Sequence, residues 1–294
     1  MAADLPKAKV RAAVAEDFAQ VYPLLRQLND TRFTEAVWKR LFTNLWNQKN
    51  WSPGYVLDTG EQIVGFLGGL YLVGGLYLVG GLHSEGIDGQ HHSVCNLNSW
   101  IVDEAYRSSS MMLLMPFLRQ KSLVLTSLTS SPEAYAVYKK LGFKDLDTAA
   151  RVIYPVPSFM GTVELITEPG SVRAFLTEQE RQCFDAHDDL DVWQCVIRKK
   201  ARVCYLLGTR RLGRAHIHCI GSTELFRETI GQIRWKLCMT LGVKGLQVDE
   251  RFLGGRKLML SRLKHFSQPK QYRGNLPADR VNASYSELVV LATP

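Results

Sequence analysis

Residues 63–82 run for about 20 positions without a charged side chain, the length a helix needs to cross a bilayer. Glycine breaks that run at Gly65, Gly68, Gly69, Gly74, Gly75, Gly80 and Gly81. Paired glycines between short apolar pieces mark strand ends or bulges, not a membrane helix. The segment is therefore expected to be β-structure in a chain without a membrane span. It also contains a direct repeat, GGLYLV at 68–73 and again at 74–79, with a third copy beginning at Gly80. An insertion of even length keeps strand side chains on their original faces. The repeat thus reads as a local duplication that lengthens a strand or hairpin, too short for a solenoid.

Periodicity supplies the elements around this run. Residues 9–14 alternate as a first strand. Phe18, Val21, Leu24, Leu25 and Leu28 then recur at helical spacing, with Pro23 expected to kink the helix, and Val37, Leu41, Leu45 and Trp46 mark a second helix. Strands are expected at 55–58, 63–67 and 93–102, a helix at 111–118, a strand at 123–128 and a helix at 132–141. The last has Pro132 at its start and Gly142 past its end. A final strand between 143 and 154, interrupted near Leu146, completes the order β-α-α-β-β-β-α-β-α-β.

The second half is less regular. A hairpin over 202–207 and 214–220 with a turn at 208–213, a helix at 224–241, a strand at 245–248, a helix at 256–266 and a closing strand at 284–291 are expected. They loosely echo the first half. Pro155 and Pro157 fall at a plausible boundary, giving domains at 1–154 and 159–294.

The formal charge of +8, from 36 Lys/Arg against 28 Asp/Glu, falls almost wholly in the second half. Such an excess suits anionic ligands or a solvated surface. The Arg210, Arg211 and Arg214 group lacks interleaved aromatics, so no nucleic-acid partner is expected. The six cysteines form no C-x-x-C pair and lie in apolar stretches, as packed, reduced thiols of a cytoplasmic protein do. The N-terminus shows no secretion signal. No G-x-S-x-G elbow, P-loop or G-x-G-x-x-G is present.

The sharpest motif is SPEAYAVYKKLGF at 131–143. Ala134, Tyr138, Gly142 and Phe143 match the signature of the GNAT superfamily of acyl-CoA-dependent N-acyltransferases, which the chain resembles over residues 9–154 in element order as well. The resemblance implies a mixed α+β fold with a mostly antiparallel central sheet flanked by helices, followed by a second, smaller GNAT-like α/β domain. It also implies acyl transfer from acetyl-CoA or another acyl-CoA to an amine acceptor. Ala134 and Tyr138 are four residues apart and share a helix face. By position Tyr138 would be the general acid that protonates the departing thiolate; the competing reading is a tyrosine that only packs.

A second match is the junction VDEAYRSSSMM at 102–112, where the family has an Arg/Gln-x-x-Gly-x-Gly/Ala loop whose backbone N–H groups bind the coenzyme A pyrophosphate. Arg107 matches; Ser110 and Met112 replace the small residues, and Met112 is expected to crowd a diphosphate. By resemblance the coenzyme A contacts are Trp100, Val102, Arg107, Ser108, Ser109, Ser110, Met111 and Ala134. For the base, His92, Asn96 and Asn98 share one strand face by period two, and the family places its base or an ordered water there. His92 is the titratable choice.

No metal is expected. His216 and His218 point the same way from a strand but lack a third ligand at diagnostic spacing. Asp185, His187, Asp188, Asp189 and Asp191 form an acidic cluster read as a solvated loop. The rival to an enzyme is a GNAT-fold binding or regulatory protein that has lost catalysis, with Ser110 and Met112 as its marks.

Overall fold

The computed structural model describes residues 5–28, 33–43, 46, 51–72, 93–158 and 162–292. In the first half the expected order is the order found. Strand β1 (Lys9–Ala12) leads through a 3-10 turn (Ala15–Asp17) to α1 (Phe18–Arg26), which buries Phe18, Val21, Leu24 and Leu25 and carries Pro23 inside it. Helix α2 (Glu35–Thr43), β2 (Gly54–Asp58), β3 (Ile63–Leu72), β4 (Ser93–Val102), α3 (Ser110–Arg119), β5 (Leu123–Ser127), α4 (Pro132–Lys140) and β6 (Lys144–Ile153) follow. β6 shows no break at Leu146, whose side chain is buried within a continuous strand. β3 takes in Gly68–Leu72, the start of the glycine-rich repeat; positions 73–82 lie outside the described residues.

The second half repeats the same order: β7 (Val163–Ile166), α5 (Pro169–Phe175), α6 (Glu178–Asp185), β8 (Trp193–Lys199), β9 (Arg202–Arg211), β10 (Arg214–Ile220), α7 (Thr223–Leu241), β11 (Gly245–Asp249), α8 (Glu250–Leu253) and β12 (Ser261–Arg273). A short α9 (Glu287–Val290) comes last. Three expectations are corrected here. β9 runs on through Gly208–Arg211, so the turn shrinks to Leu212 and Gly213. The helix expected at 256–266 does not form: Leu260 has a left-handed φ of 53°, which ends any helix there, and β12 begins at the next residue. Sheet pairing thus outweighs the helical propensity of Lys, Leu, Met and Arg. The closing strand at 284–291 is instead the turn of helix α9, in which Glu287, Leu288 and Val289 are buried in succession and not alternately. A short apolar run does not distinguish the two by periodicity.

The twelve strands pair mostly antiparallel and form two compact units. The first holds the described parts of Met1–Gly75 and His92–Lys144, with Tyr272–Asn275; the second holds Asp145–Gln271 and Leu276–Pro294, as far as they are described. In the first, the order is β1-β2-β3-β4-β5, antiparallel up to β4 and parallel between β4 and β5. In the second it is β12-β6-β11-β10-β9-β8-β7, with β10 and β11 parallel. The sixth strand of the first half therefore belongs to the second unit, where Leu246–Asp249 of β11 pairs with β6. Tyr272–Asn275, from the end of the second half, belongs to the first, where Gly274 lies against Val124 of β5.

Each unit has its own core. Leu57, Leu67, Leu97, Leu113, Phe117, Leu125 and Tyr138 close the first. In the second, α7 lays Leu225, Phe226, Ile230, Ile233 and Leu237 on Leu206, Ile217, Leu246 and Val248. All six cysteines are buried, unpaired thiols. Among the described residues no helix is long and apolar enough to cross a membrane.

Candidate active site

Helix α4 is set by its ends. Ser131 caps it, its Oγ accepting the Ala134 N–H at 3.2 Å; Pro132 supplies the first turn, and Gly142, at φ 84°, lets the chain leave. The Glu133 carboxyl is held below the usual range by hydrogen bonds at the helix start and with Ser131, and by the charge of Arg107. Ala134 and Tyr138 pack on one cluster with Tyr106, Leu125 and Phe143. Tyr138 is only 2% exposed. Its ring lies 4.8 Å from that of Phe143 and 5.4 Å from that of Trp100.

Trp100 reaches this position because β4 is bulged. Phe66 of β3 pairs with Ile101 and Gly68 with Asn98, so Ser99 and Trp100 together oppose Leu67. Ser99 takes a φ of 53°, a left-handed conformation rare for a residue with a side chain. Upstream of the bulge, Asn96 and Asn98 are both buried. Asn96 Nδ2 donates to Thr126 Oγ1 of β5 at 3.1 Å, and Asn98 Nδ2 to the Asn96 carbonyl at 3.4 Å. A side chain at position 68 would collide with Asn98 Oδ1, 2.5 Å from its Cβ, so glycine there makes room for the amide. The parallel pairing of β4 with β5 ends at Asn96 and Thr126, while β4 continues to Val102. Beyond that point the edge of β4 that faces β5 has no ladder partner among the described residues.

The segment expected as an open loop is more ordered than that. Glu104–Ser109 forms a 3-10 turn that runs directly into α3, and the Ser110 N–H is bonded to the Arg107 carbonyl. Arg107 and Ser108 are exposed, Ser109, Ser110 and Met111 half-buried. Met112 is 44% exposed.

Trp100, Val102, Ala134 and Tyr138 thus meet in one cluster, and Arg107 is near enough to α4 for its charge to act on Glu133. His92 lies outside the described residues. Sequence reading did not find the bulge at Ser99 or the link from Asn96 to Thr126. A left-handed serine leaves no compositional signal, and Thr126 sits in an apolar strand like any other threonine.

The other groups singled out by sequence lie in the second unit. His218 is buried against Thr209 Oγ1 at 2.9 Å. The His216 imidazole is pushed down to about 4, first by burial and then by Lys264, Lys270 and Arg214. The acidic cluster is not simply solvated. Asp185 is bridged to Arg173 at 3.0 Å, while His187 is fully buried, its ring nitrogens 2.7 Å from the Cys183 carbonyl and 2.8 Å from that of Ser284. No group of three His, Cys, Asp or Glu suited to a metal ion occurs among the described residues.

No family model matches the chain, and no curated protein matches it by sequence. Solved structures do match by shape. A Pyrococcus horikoshii protein named as a candidate acetyltransferase aligns over 96% of this chain and 96% of its own, at 12% identity and a TM-score of 0.52. A protein from Enterococcus faecalis V583, named a probable N-acyltransferase, aligns over 90% of this chain and 72% of its own, at 12% identity and a TM-score of 0.55. A GCN5-related N-acetyltransferase from Kribbella flavida covers 92% and 72%, at 10% identity and a TM-score of 0.53. Likeness at such low identity gives the fold alone, and that fold spans both halves of the chain.

Proposed function

We propose that this chain, whose fold is that of the GCN5-related N-acetyltransferases, moves an acyl group, most simply acetyl, from acyl-coenzyme A to an amine. The donor site would lie in residues 1–154, with residues 159–294 forming a second domain that has no donor site of its own. The observation that carries this reading is the cluster on α4. A small residue, Ala134, and a phenol, Tyr138, share one helix face, and the bulge in β4 turns Trp100 onto the same place.

The chemistry follows from these groups. The acceptor nitrogen attacks the thioester carbonyl carbon, the C–N bond forms and the C–S bond breaks, and Tyr138 gives its proton to the departing sulfur. The nitrogen loses one proton, to His92 or to a water ordered by Asn96 and Asn98, and that proton replaces the one Tyr138 gave. Arg107 with Ser108, Ser109, Ser110 and Met111 would hold the donor's phosphates, and Trp100 and Val102 its pantetheine arm. The exposure of Arg107 and Ser108 supports that role. So does the half-exposed position of Met112, whose side chain is not packed into the turn. With the Ser110 N–H already bonded, phosphate binding leans on Arg107 and on the earlier N–H groups of the turn.

A second reading keeps the fold without the reaction. The near-complete burial of Tyr138, and the occupied N–H of Ser110, favour a binding or regulatory protein. Calorimetric titration with acetyl-CoA, longer acyl-CoAs and desulfo-coenzyme A separates the two. Binding, followed by acyl-CoA consumption with an amine present, is the expected result. A chain with no heat of binding at millimolar ligand would be the regulatory protein.

A further inference from the structure

Leucine stands at two backbone positions that leucine disfavours, both in the second unit. The turn between β9 and β10, Leu212-Gly213, has φ values of 49° and 72°, the geometry in which Asn-Gly or Asp-Gly is usual because both central residues are left-handed. Leu260, just before β12, has a φ of 53°. Neither offsets the strain by burial: Leu212 is 83% exposed and Leu260 62%.

The two positions are tied to one end of the unit. Lys244 donates its N–H to the Gly213 carbonyl at 2.7 Å. The next residue, Gly245, faces the Tyr154 ring, 3.8 Å from where its Cβ would stand. Tyr154 donates its N–H to the Leu260 carbonyl at 3.1 Å. Arg234 of α7 donates from Nη1 to the carbonyl of Met259 at 2.6 Å, which fixes the loop so that Met259 stands 71% exposed. Beside Arg234, Trp235 and Met239 face solvent one helical turn apart. With Tyr154, itself 39% exposed, six large apolar side chains are thus exposed around one end, two of them at strained tips.

Their electrostatic setting is mostly cationic, the acidic exception being Asp191, whose exposed carboxylate meets Arg210 at 3.9 Å beside the Leu212-Gly213 turn. Residues 148–163, 192–223, 229–248 and 252–278 carry all of these side chains and contain no Asp or Glu. They do carry Arg210, Lys236, Lys244 and Lys257, all exposed. Nucleic acid would use the cations but has no complement for aliphatic tips. A second copy of the chain would bring like charge against like. Apolar tips ringed by cations fit a surface that is anionic outside and apolar just beneath.

We propose that this end of the second unit docks on an anionic lipid bilayer, with Leu212, Met259 and Leu260 entering the headgroup layer and the lysines and arginines meeting the lipid charges. Contact of this kind needs no spanning segment. The test is sedimentation of the full chain with phosphatidylcholine vesicles made with and without phosphatidylserine. Binding to the serine-containing vesicles should exceed binding to the others by about tenfold or more, given several cations at the surface, and should weaken with salt.

The double substitution Leu212→Asn with Leu260→Asn separates docking from folding. Asparagine tolerates the left-handed conformation, so the melting temperature should hold or rise while vesicle binding falls about tenfold. The proposal is overturned if the parent ignores phosphatidylserine vesicles, or if the double variant binds them as well as the parent. It is equally overturned if the parent forms a concentration-dependent dimer that the double variant abolishes.

Discussion

The two halves of the chain run through the same order of elements and differ where chemistry would sit. In the first, β4 reaches α3 through Asp103 and the turn Glu104–Ser109, which exposes Arg107. In the second, β10 reaches α7 through Gly221 and Ser222 alone, with no counterpart of that arginine. After β5 the chain makes the nine-residue α4; after β11 it makes the four-residue α8 at once. The parallel strand pairs are also filled differently. Asn96 stands opposite Thr126 in the first, His216 opposite Gln247 in the second. Around the second pair lies a buried charge network in which Arg251 bridges Asp147 and Asp249, and Lys270 holds Asp249 at 2.8 Å. One topology can hold a candidate site or a packed ionic core, and loop length with side-chain charge decides which.

The largest expected effect lies in that ionic core. Arg251→Ala leaves the Asp147 carboxylate buried beside no guanidinium, and should cost about 3–5 kcal/mol of stability in denaturant unfolding. Coenzyme A affinity of the molecules that remain folded should not change. If affinity falls with stability, the contrast between the halves is wrong.

In the first half the leading test is Tyr138→Phe. It should lower kcat by roughly tenfold to a thousandfold with acyl-CoA affinity and melting temperature near those of the parent. Unaltered turnover would show that Tyr138 only packs. Next comes Arg107→Glu, which should weaken desulfo-coenzyme A binding by about 1–3 kcal/mol. Met112→Ala at the same turn should preserve or tighten it, so equal affinities in parent, Arg107→Glu and Met112→Ala would remove the turn from donor binding.

The smallest effect is in pH dependence. His216 has its folded-state value depressed from 6.5 to about 4, so the folded protein binds fewer protons than the unfolded chain between those values. Stability from this group is complete above 6.5 and is lost as pH falls toward 4. His216→Asn, which places the first half's residue in the second, should make the loss of stability across that window shallower. An unchanged slope would assign it to His218 and His187, both also depressed by burial.

Much of the first half was legible from local signals. The 131–143 motif carries a serine cap, a proline at the first helical position and a terminal glycine, each acting within its own turn, so α4 and the shared face of Ala134 and Tyr138 could be placed from sequence. The helix α7 was legible for the same reason, with Ser222 before it and Gly242 after it. β12 was not, because residues 256–266 favour helix by composition and become strand only by joining a sheet. The bulge at Ser99 was equally hidden, since register depends on what lies opposite.

Sequence alone determined the element order of the first half, the face on which Ala134 and Tyr138 lie, and the excess of positive charge in the second half. These depend on period, capping and composition, which act over a few residues. Only the tertiary structure decided that β6 pairs in the second unit and that Tyr272–Asn275 belongs to the first. It also decided that Trp100 meets Tyr138 and that the leucines of two separate loops stand exposed at one end. Strand partners and loop contacts form between residues far apart in the chain, and their free energy comes from pairing and burial that no local window contains.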